Sequence, residues 1–202
     1  MRQKLGSRLT CVTALTAPRH EICILTGGLS SRMGTDKSRL RLGRRTLLGH
    51  IRATAHAVGL QPRVIAADLA PRCGPLAGVY TALATSHAEV ILFLACDMPF
   101  ISPQSLQSLL GRLRPGRKAL FVRENGRVGF PFLVRHTALS AVERQLADGQ
   151  LSLQKLARAL RAQTACLPPS QAHELFNINT PADWRIARQR WRALARSQSR
   201  FP

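Results

Sequence analysis

Acidic side chains are scarce in this chain. Its 202 residues include ten Asp and Glu against thirty Lys and Arg, a formal net charge of +20. Such an imbalance raises the question of nucleic acid, but other shortages answer it. Only four of the basic residues are lysine, the arginines are spread along the whole chain, and aromatics make up 5%. No basic run is interleaved with aromatics. The excess charge therefore reads as a compositional bias rather than a specific nucleic-acid surface, although its field would draw in small polyanions. No apolar run reaches the roughly 18–20 residues that span a bilayer. The five cysteines, at 11, 23, 73, 96 and 166, form no C-x-x-C pair and no metal spacing with histidine. Scattered thiols of odd number suit a reducing, cytoplasmic setting, and Cys23 and Cys96 read as small core residues. Neither of the common glycine-loop signatures, G-x-x-x-x-G-K-[ST] or G-x-G-x-x-G, is present.

What is present is an alternation of strands and helices. Residues 22–25 read as a buried strand. Residues 46–58 read as a helix with Leu47, Leu48, Ile51, Ala55 and Val58 on one face and Gly59 just past its end. A short strand is expected at 63–67, and a helix at 75–86 entered through Gly74-Pro75. Six apolar residues at 90–95 give a buried strand running into Cys96-Asp97. Ser102 as a cap and Pro103 at the first position open a helix over 102–113. Strands at 119–123 and 130–135 flank a turn at Asn125-Gly126. Helices follow at 138–146 and 152–162, then a short strand at 165–167, a strand-like piece at 176–181 and a last helix at 181–197.

This order predicts an α/β fold with a mainly parallel sheet and helices on both faces. Without linker, repeat or low-complexity segment, residues 21–202 read as one domain. Residues 1–20 read as a loose N-terminal extension, or a start site assigned too early, rather than as a secretory signal. Their apolar part is short and diluted by threonines.

Four motifs carry chemistry. Residues 22–37, ICILTGGLSSRMGTDK, run from a buried strand into a glycine loop with Arg32, Gly34 and Lys37. Backbone N–H groups in such a loop approach phosphates, and the two cations supply counter-charge. Residues 92–100, LFLACDMPF, place Asp97 at the exit of a buried parallel strand, where a carboxylate can hold Mg²⁺ against phosphate oxygens. The third is Asp68, followed by Gly74-Pro-Leu-Ala-Gly78, a helix start at the cleft edge. Asp68 could accept from ribose hydroxyls or from the N–H edge of a base. The fourth, Phe176-Asn-Ile-Asn-Thr-Pro181, puts two amides on one side of an extended segment. Three of them have a plain alternative: a glycine turn, a turn cap at Asp97, and turn-forming asparagines before a helix. In parallel sheets ligands bind beyond the carboxyl ends of strands, and both Gly27-Gly28 and Asp97 sit there.

In this order, across residues 22–184, the four motifs resemble the molybdenum cofactor guanylyltransferase family. The resemblance implies a three-layer, Rossmann-like nucleotidyltransferase fold. It implies transfer of GMP from GTP to the phosphate of molybdopterin, with Mg²⁺ and release of pyrophosphate. Leu25, Thr26 and Gly27 would then contact GTP through the backbone, with Gly28 in the same loop. Lys37 would hold the phosphates with Arg32, and Asp68 would bind the nucleoside end. Asp97 would bind both GTP and metal, and Asn177 and Asn179 would face molybdopterin. Gly27-Gly28 looks like the guanylyl branch, since the similar cytidylyltransferases tend to read Ala-Gly. Partners implied are GTP, molybdopterin, and proteins that make the cofactor or accept it, with no specific nucleic acid and no membrane.

Three positions depart from the family. Thr26 stands where Ala is usual, and Phe130 where His often precedes the proline. Residues 59–73 must hold what is generally strand, helix and strand. At about 3.3 Å per extended residue they fit one short strand. Either a βα unit is missing, with an edge strand and some nucleoside contacts, or the gene is truncated internally. The rival readings are a cytidylyl- or sugar-phosphate nucleotidyltransferase of the same fold, and a weakly active nucleotide- or cofactor-binding module.

Overall fold

In the computed structural model the described residues are 19–26, 37–66, 69 and 74–198, with side chains described to 196. The elements are β1 (His20–Leu25), β2 (Arg41–Leu42), β3 (Arg45–Thr46), α1 (Leu47–Ala57), β4 (Pro62–Ile65), α2 (Pro75–Ala84) and β5 (Val90–Ala95). They continue with α3 (Pro103–Leu110), β6 (Ala119–Glu124), β7 (Arg127–Arg135), α4 (Leu139–Ala147), α5 (Leu153–Ala159), β8 (Gln163–Ala165) and α6 (Pro181–Gln198).

Six strands form one sheet in the order β4-β1-β5-β7-β6-β8. β1 pairs parallel with β4 and β5, and β6 parallel with β8, while β7 is antiparallel to both of its neighbours. One strand thus opposes the other five, as a mainly parallel sheet requires. The reversal comes from a two-residue hairpin. Asn125 and Gly126 take φ of 48° and 77°, the left-handed pair that matches strand twist.

β5 is apolar throughout, and β1 is apolar from Ile22 to Leu25, because both faces are covered there. Cys23, Ile91 and Phe93 point to one core, shared with Leu76 and Val79 of α2, Val142 of α4 and Leu156 of α5. Ile22, Ile24, Leu92 and Leu94 point to the other, under Ile51 of α1 and Leu106 and Leu109 of α3. The strand period of two thus sorts one segment into two cores, and the three-layer arrangement follows. In the first core Phe132 stacks between Phe93 and Phe121, with centroids 5.0 and 4.6 Å away. Each buried ring is worth about 1.5–3 kcal/mol.

Ser102 caps α3 as expected, and Thr46, expected as the first residue of its helix, is the cap of α1. Thr46 accepts from Gly49 N–H, and Ser102 from Ser105 N–H. α3 stops at Leu110, earlier than expected, because Gly111 caps it. β4 occupies residues 62–65 and is the single strand between α1 and α2 among the described residues. It pairs on one side only, with β1, and so forms the sheet edge. β8 forms at 163–165 rather than 165–167, its register fixed by pairing with Leu120, Phe121 and Val122 of β6.

Candidate active site

The carboxyl ends of β1, β5 and β6 lie on one edge of the sheet, and the start of α2 lies there too, because α2 returns from that edge to the other. Gly74, with φ 60°, is its N-cap and Pro75 its first residue. The edge is tied together by main-chain bonds. Cys96 N–H donates to the Leu25 carbonyl (3.3 Å), Thr26 N–H to the Ile65 carbonyl (3.2 Å), and Ile178 N–H to the Asp97 carbonyl (3.0 Å). The last of these brings the 176–180 segment, which has no regular structure, beside the end of β5.

Ile178 is fully buried, among Leu42, Leu47 and Ala187. Asn177 and Asn179 on either side of it are exposed. Alternation along an extended segment thus turns both amides the same way, as the sequence pattern requires.

Lys37 joins these parts. Its ammonium donates to Asn179 Oδ1 at 2.9 Å and lies 3.4 Å from Asp97 Oδ2. The lysine and aspartate side chains are 16% and 19% exposed. Burial pushes the Asp97 carboxyl above its usual range, with the Lys37 charge pulling against that rise. Three residues separated by 60 and 142 positions in sequence therefore meet at one point. Lys37 also starts a single turn of 3₁₀ helix, Lys37–Arg39, whose end bonds back through Leu40 N–H to the Lys37 carbonyl (3.1 Å).

Of the other expected site residues, Gly27, Gly28, Arg32 and Asp68 lie outside the described residues, as do residues 1–18 of the expected extension. Leu25 is buried in the core, its carbonyl held by Cys96. Thr26 spends its N–H on the sheet, and its hydroxyl donates to the same Ile65 carbonyl (3.0 Å). The hydroxyl absent from Ala is thus satisfied inside the protein. Phe130 packs 5.0 Å from Phe132, centroid to centroid, so an aromatic contact stands where a polar one was expected.

Two participants escaped the sequence reading. Asp183 Oδ2 accepts from Asn179 N–H (3.0 Å), Thr180 N–H (2.8 Å) and the Thr180 hydroxyl (2.8 Å), and Asp183 N–H donates to Thr180 Oγ1 (3.1 Å). This is a capping box at the start of α6, and Thr-x-x-Asp before an apolar helix face is its sequence signature. The second is Trp191, which sits against Gly43 in the turn between β2 and β3. Its helical spacing from Trp184 and Ala187 was the available signal.

Among the described residues no group of three or more His, Cys, Asp or Glu side chains is arranged to hold a metal. A lone carboxylate suits an ion that takes its remaining ligands from phosphate and water, as Mg²⁺ does. No helix among them is long and apolar enough to cross a membrane. Cys23, Cys96 and Cys166 are in no disulfide, and desolvation beside Glu21 raises the Cys23 pKa far above the usual thiol value.

A family model described as the MobA-like NTP transferase domain matches residues 22–166. A protein of Opitutus terrae named "Probable molybdenum cofactor guanylyltransferase" is 32% identical over 182 residues, covering 79% of this chain and 90% of that one. The molybdenum cofactor guanylyltransferase of Xanthomonas euvesicatoria is 30% identical over 176 residues, covering 80% and 90%. Among solved structures, molybdopterin-guanine dinucleotide biosynthesis protein A from Archaeoglobus fulgidus matches with a TM-score of 0.63 at 23% identity, over 84% of this chain and 97% of that one. Rv0371c of Mycobacterium tuberculosis in complex with manganese matches with a TM-score of 0.59 at 18% identity, over 86% and 100%. At these identities the structural likeness is one of fold.

Proposed function

Because the chain belongs to the MobA-like NTP transferase family, we propose that it transfers GMP from GTP to molybdenum-molybdopterin. The products are the guanine dinucleotide form of the cofactor and pyrophosphate. The observation that supports this most directly is the meeting of Lys37, Asp97 and Asn179 at the carboxyl edge of the sheet.

A phosphate oxygen of molybdopterin attacks the α-phosphorus of GTP. The bond from that phosphorus to the bridging oxygen breaks, and its electron pair leaves with pyrophosphate. Charge accumulates on the leaving group, and the attacker is itself an anion. Cations held in a fixed place are therefore the main requirement. In this reading Lys37 and Arg32 neutralise the phosphates, and the loop carrying Gly27 and Gly28 positions them. Leu25 and Thr26 line the approach, and Asp68 takes the nucleoside end. Thr26 offers its carbonyl side, since its N–H is engaged in the sheet.

Asp97 would hold Mg²⁺, which would supply positive charge to offset the negative charge that grows on the leaving group. Asn177 would face molybdopterin, and Asn179 would do so while fixing Lys37. An attacking phosphate is already ionised at neutral pH, so no strong general base is required. We place the reaction in the cytoplasm, with enzymes that make or accept the cofactor as protein partners.

Purified protein, loaded molybdopterin and Mg²⁺ should release pyrophosphate with GTP and far less with CTP. Asp97→Ala should lower turnover by at least about a hundredfold, because it removes charge stabilisation at the reacting phosphate. Turnover at the original level in that variant, or faster turnover with CTP, would overturn the assignment of the metal ligand or of the base.

A further inference from the structure

The position of Lys37 depends on α6, which touches the lysine segment at both of its ends. At the near end, Asn179 Oδ1 accepts from the Lys37 ammonium at 2.9 Å. Asn179 immediately precedes Thr180, the cap of α6, and it has no strand ladder to hold it. Its peptide is fixed by Asp183. One carboxylate oxygen, Oδ2, takes the N–H of Asn179, the N–H of Thr180 and the Thr180 hydroxyl, all at 2.8–3.0 Å. Desolvation works to raise the Asp183 pKa, but these hydrogen bonds outweigh it and hold the group ionised below the usual carboxylate range. The Lys37 charge acts in the same direction. Without Oδ2 the Asn179 peptide can rotate, and the amide that grips Lys37 turns with it.

At the far end the grip is steric. Gly43 lies in the turn that follows the Lys37–Arg39 helical turn, with φ of 65°. A Cβ there would fall 2.3 Å from the indole nitrogen of Trp191. Trp191 in turn meets the ring of His50 edge-on at 4.5 Å between centroids, and His50 Nε2 lies 2.7 Å from the Leu42 carbonyl. Trp184, Ala187 and Trp191 fall on one face of α6, and that face covers Leu42, Leu47 and Ile178. The cap and the indole thus hold one rigid helix against both sides of the lysine segment.

We propose that Asp183 is a positioning residue for Lys37, acting through Asn179, and that α6 is the brace that keeps the lysine aimed at the phosphates of the nucleotide. The inference rests on the reading of Lys37 as a phosphate-binding group. It adds that α6, through the Asn179 and Trp191 contacts, sets nucleotide affinity.

The test is a double-mutant cycle on the full chain, read as affinity for a fluorescent GTP analogue, with melting temperature measured alongside. Asp183→Ala should weaken the analogue about tenfold when Lys37 is present, the scale of one charge-assisted hydrogen bond. In a Lys37→Met background the same change should matter less than about twofold, because coupled residues are non-additive. Asp183→Glu, which also completes a capping box, should restore most of the affinity. Equal losses in both backgrounds would show a purely structural role and overturn the proposal. Full affinity in Asp183→Ala would do the same while leaving the nucleotide reading intact. A wild-type protein that binds no GTP analogue would instead overturn that reading and take this inference with it.

Discussion

α2 and α6 both approach the carboxyl edge of the sheet, and they are held by opposite means. α2 has ten residues, all but three of them buried, and its segment PLAGVYTALA has no charged side chain. Its place is set by area: it packs on β1, β4 and β5 and against α4, in the core that also holds Phe93. α6 is eighteen residues long and carries Arg185, Arg188, Arg190, Arg192 and Arg196. Among its described side chains only Ala187 is fully buried. It is placed by a few directional contacts: the Thr180–Asp183 cap, two tryptophans, and the Arg190 guanidinium 4.3 Å above the ring of Phe176. Apolar burial tolerates small changes because it is spread over many atoms. Directional contacts fail one at a time. The α2 side of the site should therefore respond to mutation through global stability, and the α6 side through local geometry.

The largest effect should come from the α2 side. Phe93→Ala opens a hole under the stacked rings and should cost about 3–5 kcal/mol. A denaturant titration should show a midpoint shift with every local property lost together. Survival of nucleotide binding in the unfolding range would break the contrast.

Gly43→Ala should come next. It combines a left-handed backbone with a collision against Trp191, and such strain costs on the order of 1–3 kcal/mol. Pairing it with Trp191→Ala should recover the steric part but not the backbone part. Chemical denaturation of the four proteins measures the difference, and a fully additive pair would remove Trp191 from the account.

The smallest effect tests the side of the sheet shared by β1, β4 and α2. Burial alone would raise the Glu21 carboxyl, but hydrogen bonds from Ser86, Arg63 and Cys23 outweigh it and set the pKa below its ordinary 4.5. A depressed carboxylate stabilises the fold above its unfolded pKa and loses that contribution as pH falls through the folded value. The gap in melting temperature between wild type and Glu21→Gln should be constant near neutrality. It should narrow below about pH 4.5 and close further down. A gap that widens on acidification would reverse the assignment.

The fold was largely legible because long signals announce themselves. Six consecutive apolar residues before Asp97 gave β5 to the residue, and Asn125-Gly126 between two apolar runs fixed the hairpin that reverses β7. Separate motifs named Lys37, Asp97 and Asn179 as candidates, and the folded chain brings these three together. What escaped was who touches whom. β2 and β3 are two residues each, too short for any period to register. The contact of Trp191 with Gly43 depends on where a helix lands almost 150 residues later. The sequence assigned Lys37 to phosphates and Asn179 to the other substrate. That the amide oxygen of one grips the ammonium of the other could come only from the folded chain. Asp183 is the exception, since its cap signature was readable and only its consequence for Lys37 was not.

The parallel pairing of β1 has a consequence for synthesis. His20 lies opposite Val90, so the first central strand must wait for a partner 70 residues downstream (90 minus 20). At roughly 5–20 residues per second, the ribosome takes on the order of four to fourteen seconds to deliver that partner. Its other neighbour, β4, is complete by residue 65, so until β5 arrives the nascent Ile-Cys-Ile-Leu strand can be paired on one side at most. Slowly closing, long-range sheets are the ones that draw on chaperones, and expression yield in this protein should follow elongation speed between β1 and β5 more closely than anywhere else in the chain.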